Sequence, residues 1–153
     1  MPMTYVGGDL MSFSDDGWTP IEVIVDSGAC ETVMPRNMCS RINIVPSRQS
    51  GAGVEYEVAS GVAIPNLGER RCDIFAEGGL SSMLMHFQVA DVHQPLLSLS
   101  RCADMGFNSF LNSEGGYIQC SQTGEQIAIH RRGNLYITIM LGENGASGGD
   151  AAD

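Results

Sequence analysis

The chain reads Ile-Glu-Val-Ile-Val-Asp-Ser-Gly-Ala from Ile21 to Ala29, and this stretch decides how the rest is interpreted. Four of the five residues before Asp26 are apolar and β-branched, which predicts a largely buried strand. A carboxylate at the end of a buried strand is costly unless it is paired or has a function. Gly28 permits a tight turn and close backbone approach, Ser27 adds a small hydroxyl group, and Ala29 keeps the surroundings uncrowded. The stretch therefore predicts either a catalytic carboxylate or an ordinary turn at a strand end.

The composition indicates one globular domain of 153 residues, with 43% hydrophobic and 17% charged residues. The formal net charge is −10, and all eight basic residues are arginine. Nucleic-acid binding requires clustered positive charge, so an acidic chain with few cations is a poor candidate for it. We therefore expect no nucleic-acid partner.

The five cysteines are widely spaced and include no Cys-x-x-Cys pair. This spacing argues against a disulfide framework and a zinc ribbon, and favours thiols in a reducing compartment. The three histidines form no metal-binding pattern, so we expect no metal. No signal peptide and no run of membrane-spanning length is apparent. We expect a soluble, cytoplasmic protein without a membrane partner.

The rest of the chain consists of short apolar segments separated by Gly, Pro, Asn and Ser, which predicts an all-β domain. We expect an unassigned N-terminal extension at 1–17, the folded domain at 18–141 and a Gly-rich flexible tail at 142–153. Predicted strands cover residues 18–25, 31–34, 54–59, 68–76, 82–90, 107–111, 117–120, 126–130 and 135–140.

Helical spacing from Leu96 to Met105, followed by Gly106, predicts one helix. Arg36–Ser50 is ambiguous and includes a possible helical turn at 37–41. Alternation along Ser82–Ala90 predicts two faces. Met83, Met85, Phe87 and Val89 share one, and Ser82, Leu84, His86 and Gln88 share the other.

Asp26-Ser27-Gly28-Ala29 after an apolar strand is similar to the active-site signature of aspartic proteases. Those enzymes use two adjacent carboxylates that share one proton. The chain contains one Asp-Ser-Gly segment, so the second carboxylate must come from another copy. The resemblance therefore implies an isologous homodimer in which Asp26 of each copy meets at the two-fold axis.

Later segments, in the same order, resemble the retropepsins, and more particularly the proteases of copia-type retrotransposons. The segments are Glu57–Gly68, Gln94–Phe107, Thr123–Ile127 and Gly133–Ile137. The match spans about Trp18 to Met140. It implies a single-lobe, closed β-barrel with a flap hairpin and one short helix.

The resemblance also implies roles for individual residues. Asp26 is catalytic, Ser27 hydrogen-bonds across the dimer axis, and Gly28 and Ala29 support the active-site loop. The flap covers an extended peptide or polyprotein substrate and includes Ala59, Ser60, Gly61, Val62, Ala63 and Ile64. The mechanism requires no cofactor.

The function implied is aspartic endopeptidase activity on peptide bonds, including those of the chain's own polyprotein. The alternative is a catalytically inactive domain of the same fold that serves in dimerisation or peptide binding. A third interpretation is an unrelated acidic β-barrel binding module. Cys30 and Leu96-Leu97-Ser98 depart from retroviral patterns, and Leu135–Met140 is either an interface strand or a core strand.

Overall fold

The computed structural model describes residues 18–58, 60–77 and 82–143. The described part is mostly β-structure, which confirms the all-β prediction. Its eleven strands are β1 Trp18–Asp26, β2 Val33–Met34, β3 Glu55–Glu57, β4 Ala63–Pro65, β5 Gly68–Ala76, β6 Met83–Val89, β7 Leu96–Ser98, β8 Phe107–Asn112, β9 Gly115–Cys120, β10 Gln126–Arg132 and β11 Leu135–Glu143. Its two helices are α1 Arg48–Gly51 and α2 Leu99–Asp104. The expected extension at 1–17, flap residue Ala59 and the tail from 144 onward lie outside these ranges.

Strand β1 forms where the β-branched sequence predicted a strand, although Ile21 and Ile24 are only partly buried. It pairs with β11 in antiparallel register and with β7 in parallel register. Val23 and Val25 are buried and join a core contributed by β2, β5, β6, β7, β9, β10 and β11. Burying a side chain of this size contributes about 1.5–3 kcal/mol. Asp26 is therefore carried on one of the best-packed strands of the protein.

Hydrogen-bonded pairings run from β1 through β7, β2, β6, β5 and β11, and β11 pairs again with β1. Strands β10, β9 and β8 continue the sheet beyond β11. Strand β11 pairs with β1 along one edge. Along its other edge, β11 pairs with β10 near the start of β11 and with β5 near the end of β11. Strands β3 and β4 form a separate two-stranded hairpin. Leu135–Met140, for which two roles were open, therefore lies in an interior strand of this sheet.

The helix expected from Leu96 to Met105 is shorter than predicted, because its first three residues form β7. Leu96 and Leu97 pair in parallel with Ile24 and Val25. Helix α2 begins only after Ser98, whose side chain accepts a hydrogen bond from the backbone N–H of Arg101. A Leu-Leu-Ser run fits both the helical and the strand periodicity. Its pairing with β1 therefore decides that it forms a strand.

The ambiguous segment Arg36–Ser50 contains a second helix, α1, where one short helix in all was expected. Ser47 and Ser50 cap α1 reciprocally, with serine in the place where glutamate or glutamine usually occurs. The preceding residues form turns, and the buried Arg70 holds them by donating to the carbonyl oxygens of Arg36, Met38 and Ile42 at 2.7 Å each.

Neither helix of the described ranges has the length and apolar character needed to cross a bilayer. The cytoplasmic location stays a prediction.

Strand β11 extends two residues past the boundary expected at 141. Gly142 pairs with Thr19 and Glu143 with Trp18. Gly142 is buried, and a Cβ there would lie 2.8 Å from Cδ1 of Ile21. Gly142 is therefore packed tightly against β1 within the sheet, although the composition of the segment that begins at Gly142 is typical of a linker.

The two predicted faces of Ser82–Ala90 are confirmed in β6, with one exception. Phe87 and Val89 are buried, and Leu84 and His86 are exposed. Gln88 was expected on the polar face, but it is buried because polar partners surround its amide.

Gly68 provides a test of the packing at the start of β5. Its φ is +126°, and a Cβ would lie 2.5 Å from the carbonyl oxygen of Val45. We expect Gly68→Ala to lower the free energy of unfolding by about 2 kcal/mol or more, measured by urea titration. Gly51→Ala is the matched control, because nothing lies within 4 Å of a Cβ there. Equal stability of the two variants would contradict the tight contact.

Candidate active site

Asp26 is the last residue of β1, and the next residues turn away from the sheet. Its Oδ1 accepts a hydrogen bond from the backbone N–H of Gly28 at 2.7 Å. A Cβ on Gly28 would lie 3.3 Å from that oxygen, so a larger residue would fit only if the carboxylate shifted by a few tenths of an ångström. Ser27 and Gly28 are exposed, whereas Asp26 is half-buried. The turn thus presents one carboxylate at the surface and orients it through a backbone donor.

Ser98 supports this turn from the interior of the protein. Its backbone pairs with Asp26, and its buried hydroxyl donates to the carbonyl oxygen of Ala29 at 2.7 Å. The backbone N–H of Ser98 donates to Oγ1 of Thr32 at 3.0 Å. One buried residue therefore holds the turn on both sides of Gly28.

A charged cluster lies next to the turn. Arg101 donates to both carboxylate oxygens of Glu31, at 3.0 and 2.9 Å. Gln49 adds a hydrogen bond to Oε2 of the same carboxylate at 3.1 Å. A bidentate guanidinium–carboxylate pair fixes orientation as well as distance. This cluster connects α1 and α2 with the segment that follows Ala29.

The β3–β4 hairpin occupies the position predicted for the flap. Its strands pair from Glu55 with Pro65 to Glu57 with Ala63, and Ile64 lies opposite Tyr56. The hairpin's turn is closed by hydrogen bonds from Val58 N–H to the carbonyl of Val62 and from Gly61 N–H to the carbonyl of Val58. Ser60, Gly61 and Val62 are exposed at the tip.

Asn66 attaches the base of this hairpin to the main sheet. Its Nδ2 donates to the hydroxyl of Tyr56 and to Oε1 of Gln88, both at 2.9 Å. Its Oδ1 accepts from the backbone N–H of Gly68 at 2.7 Å. Gln88 then donates to Oε1 of Glu69 at 3.2 Å. The hairpin is therefore anchored by a buried polar network in addition to its own strand pairing.

The environment changes the proton affinity of two members of this network. Burial raises the pKa of the Tyr56 phenol, and the nearby negative charge of Glu31 raises it further. Burial also disfavours the charged form of Glu69, but hydrogen bonds from Arg71 and Gln88 outweigh that effect. The net pKa of Glu69 is lowered, so its carboxylate is held in the ionised form.

The structure brings some of the expected site residues together and leaves others apart. Asp26, Ser27, Gly28 and Ala29 form one turn, while residues 60–64 form the hairpin. No hydrogen bond between residues 60–64 and Asp26 occurs in the described ranges. Tyr56, whose pKa responds to Glu31, is the member of the hairpin that approaches the segment after the turn.

Sequence reasoning missed Ser98 and Thr32, which support the turn, and Asn66 with Gln88, which anchor the hairpin. The spacing of polar residues could not reveal these pairs, because their partners lie far apart in the chain. The serine of Leu96-Leu97-Ser98 belongs to the segment that resembles the copia-type proteases and departs from the retroviral pattern, but no contact with the turn was predicted for it.

Two of the cavities in the described part are relevant to the site. One of about 550 Å³ is lined by Ile24, Pro95, Leu135 and Ile137 among others. The other, of about 570 Å³, lies between β6 and α2 and is lined by Glu31, Gln88, Leu97 and several methionines. Asp26 lines neither of them. Among the described residues, no three His, Cys, Asp or Glu side chains are grouped closely enough to hold a metal ion.

No family model, curated protein or solved structure matches the chain.

Replacing Ser98 tests the support of the turn. Ser98→Ala removes the donor to Ala29 and the cap of α2. We expect unfolding free energy to fall by about 1–3 kcal/mol in chemical denaturation. Ser121→Ala, at an exposed turn, is the control and should change stability by less than about 0.5 kcal/mol. If the Ser98→Ala variant were as stable as this control, Ser98 would not be the residue that supports the turn.

The hairpin network predicts a pH dependence for Glu69. A carboxyl with a lowered pKa in the folded state stabilises the protein above its unfolded value, 4.5, and that contribution is lost as the pH falls through the folded pKa. We expect Glu69→Gln to cost about 1–3 kcal/mol at pH 7 and progressively less as the pH falls below 4.5. Unfolding curves at several pH values measure this difference. Asp73→Asn, exposed on the same strand, should show little change at any pH.

Proposed function

We propose that the chain is an aspartic endopeptidase whose active form is a homodimer with one Asp26 from each copy. The observation that carries the proposal is the surface carboxylate of Asp26 at the end of a buried strand. Its Oδ1 accepts from Gly28 N–H at 2.7 Å, and Ser98 holds the same turn from below.

The strand arrangement supports the same proposal at the level of the fold. Six strands pair in a circuit, with β7 between β1 and β2 directly beneath the Asp26 turn. A hairpin separate from the main sheet follows in the chain, and one short helix follows β7. These features agree with the closed barrel, flap and helix that the resemblance to retropepsins implies. Helix α1 is an addition to that pattern.

The proposed chemistry needs two carboxylates and a water molecule. Two adjacent carboxyl groups cannot both ionise readily, so the pair shares one proton and titrates as a unit. The ionised member takes a proton from water, which attacks the peptide carbonyl carbon, while the other member protonates the carbonyl oxygen. The carboxyl that gained the proton then passes it to the amide nitrogen as the C–N bond breaks, and the other carboxylate takes back a proton from a hydroxyl of the adduct. The products are a carboxylic acid and an amine, and the pair again shares one proton. Gly28 N–H stabilises the carboxylate in the orientation required for this exchange. Ser27, exposed beside it, is the residue proposed to hydrogen-bond to the second copy.

The hairpin is proposed to cover an extended peptide bound across the two turns. Backbone groups of such a peptide pair with the protein as an added strand would. Asn66 and Tyr56 fix the hairpin at its base, which leaves the tip at residues 60–62 to move over the substrate.

Replacing the proposed catalytic carboxylate provides the direct test. We expect Asp26→Asn to lower peptide cleavage at least about a hundredfold, because the amide can neither accept nor return the proton. The assay uses a randomised peptide library at mildly acidic pH, with cleavage detected by mass spectrometry. Asp91→Asn is the control, since Asp91 is an exposed carboxylate paired with Arg36.

The outcomes separate the proposal from its alternative. Cleavage that Asp26→Asn leaves intact contradicts the proposal. Binding of library peptides without cleavage by the unaltered chain would instead support an inactive peptide-binding domain of the same fold.

A further inference from the structure

We propose that the second copy of the chain docks on the β10–β11 turn, Arg132–Leu135, and on the apolar groove beside it. This inference rests on the proposed function, because it concerns how two Asp26 turns are held together. The groove is lined by Glu22, Ile24, Pro95, Arg132, Leu135 and Ile137.

The ends of the described sheet lie away from Asp26. Trp18, the first residue of β1, pairs with Glu143, the last residue of β11. Eight residue steps along an extended strand, about 26 Å, separate Trp18 from Asp26. The Trp18 and Glu143 ends of these two strands therefore lie far from the place where two Asp26 residues would meet.

The β10–β11 turn is at the correct end of the sheet. Val25 pairs with Tyr136, so one further step in this register brings Asp26 opposite Leu135. Neighbouring strands place such residues about 5 Å apart between Cα atoms. Leu135 is 47% exposed although it is a leucine beside the central strand.

Leu135 also lies on the same face as the carboxylate. Ile24 and Asp26 are two residues apart on β1 and so share a face. Ile24 pairs with Ile137, and directly opposed residues point the same way, so Leu135 and Ile137 belong to that face too. All three apolar residues line the groove. A copy that brings its Asp26 against this Asp26 thus lies over an apolar surface continuous with the site.

Charge favours the same docking. The chain carries a net charge of −10, and two of its eight arginines, Arg131 and Arg132, lead into this turn. Arg132 donates to Oε1 of Glu22 at 2.8 Å. Arg131 donates to the carbonyl oxygens of Gly133 and Ser113, which fixes this turn against the β8–β9 turn. These two arginines add positive charge at this turn, which lowers the repulsion between two acidic copies that meet there.

Sedimentation velocity over a concentration series tests the docking surface. We expect Leu135→Glu to raise the dimer dissociation constant about tenfold or more, because a charge would be buried at the interface. Leu84→Glu is the matched control, since Leu84 is 56% exposed on β6. It should leave the constant within about threefold. Cleavage by Leu135→Glu should fall with the dimer fraction and recover at high protein concentration.

Leu135→Thr places an uncharged, β-branched strand former at this position and protects the test against misfolding of the charged variant. It should weaken the dimer in the same direction, with an unchanged circular dichroism spectrum. Wild-type dissociation constants for both Leu135 variants would overturn the docking surface while leaving Asp26-dependent cleavage, and with it the proposed function, in place. A wild-type chain that is monomeric at every concentration yet cleaves peptides would overturn both the surface and the shared site.

Discussion

The hydroxyl of Ser98 is the interaction on which the arrangement around Asp26 depends. It joins the carbonyl of Ala29 to the first turn of α2, and its backbone pairs with Asp26 itself. Because Ser98 is fully buried, water cannot replace these bonds if the side chain is lost. The position of the carboxylate is thus set by the interior of the protein, and the exposed residues of the turn are left available for contact with other molecules.

The hairpin shows the same principle at a second place. Asn66 uses both of its amide atoms, and the residues it joins belong to β3, β5 and β6. A buried network that is fully satisfied restricts its members to one arrangement. The base of the hairpin is therefore fixed, while the hydrogen bonds of the described residues at its tip, from Val58 to Val62 and from Gly61 to Val58, are local. A covering element that must open for a substrate needs this combination of a fixed base and a free tip.

The local sequence pattern was enough to predict the elements that do not depend on distant partners. The strand before Asp26 and the strand Gly68–Ala76 were predicted closely, because long β-branched or alternating runs leave little choice. Leu96–Ser98 was assigned to a helix because its strand partners, Ile24 and Val25, lie some seventy residues away. The burial of Gln88 was not predicted for the same reason, since Asn66 and Glu69 reach it only after folding. The turn itself was predicted from sequence, and its support was not.

Because Trp18 pairs with Glu143, strands that are far apart along the chain are neighbours in the sheet. The two ends of the described sheet are neighbours, so a short Gly/Ser link could join them and new ends could be opened at the exposed turn around Gly124. A chain rearranged in this way would keep β1, β7 and the Asp26 turn uninterrupted. The geometry of the site thus depends on which strands are in contact. The fold would tolerate a polypeptide that begins at a different residue.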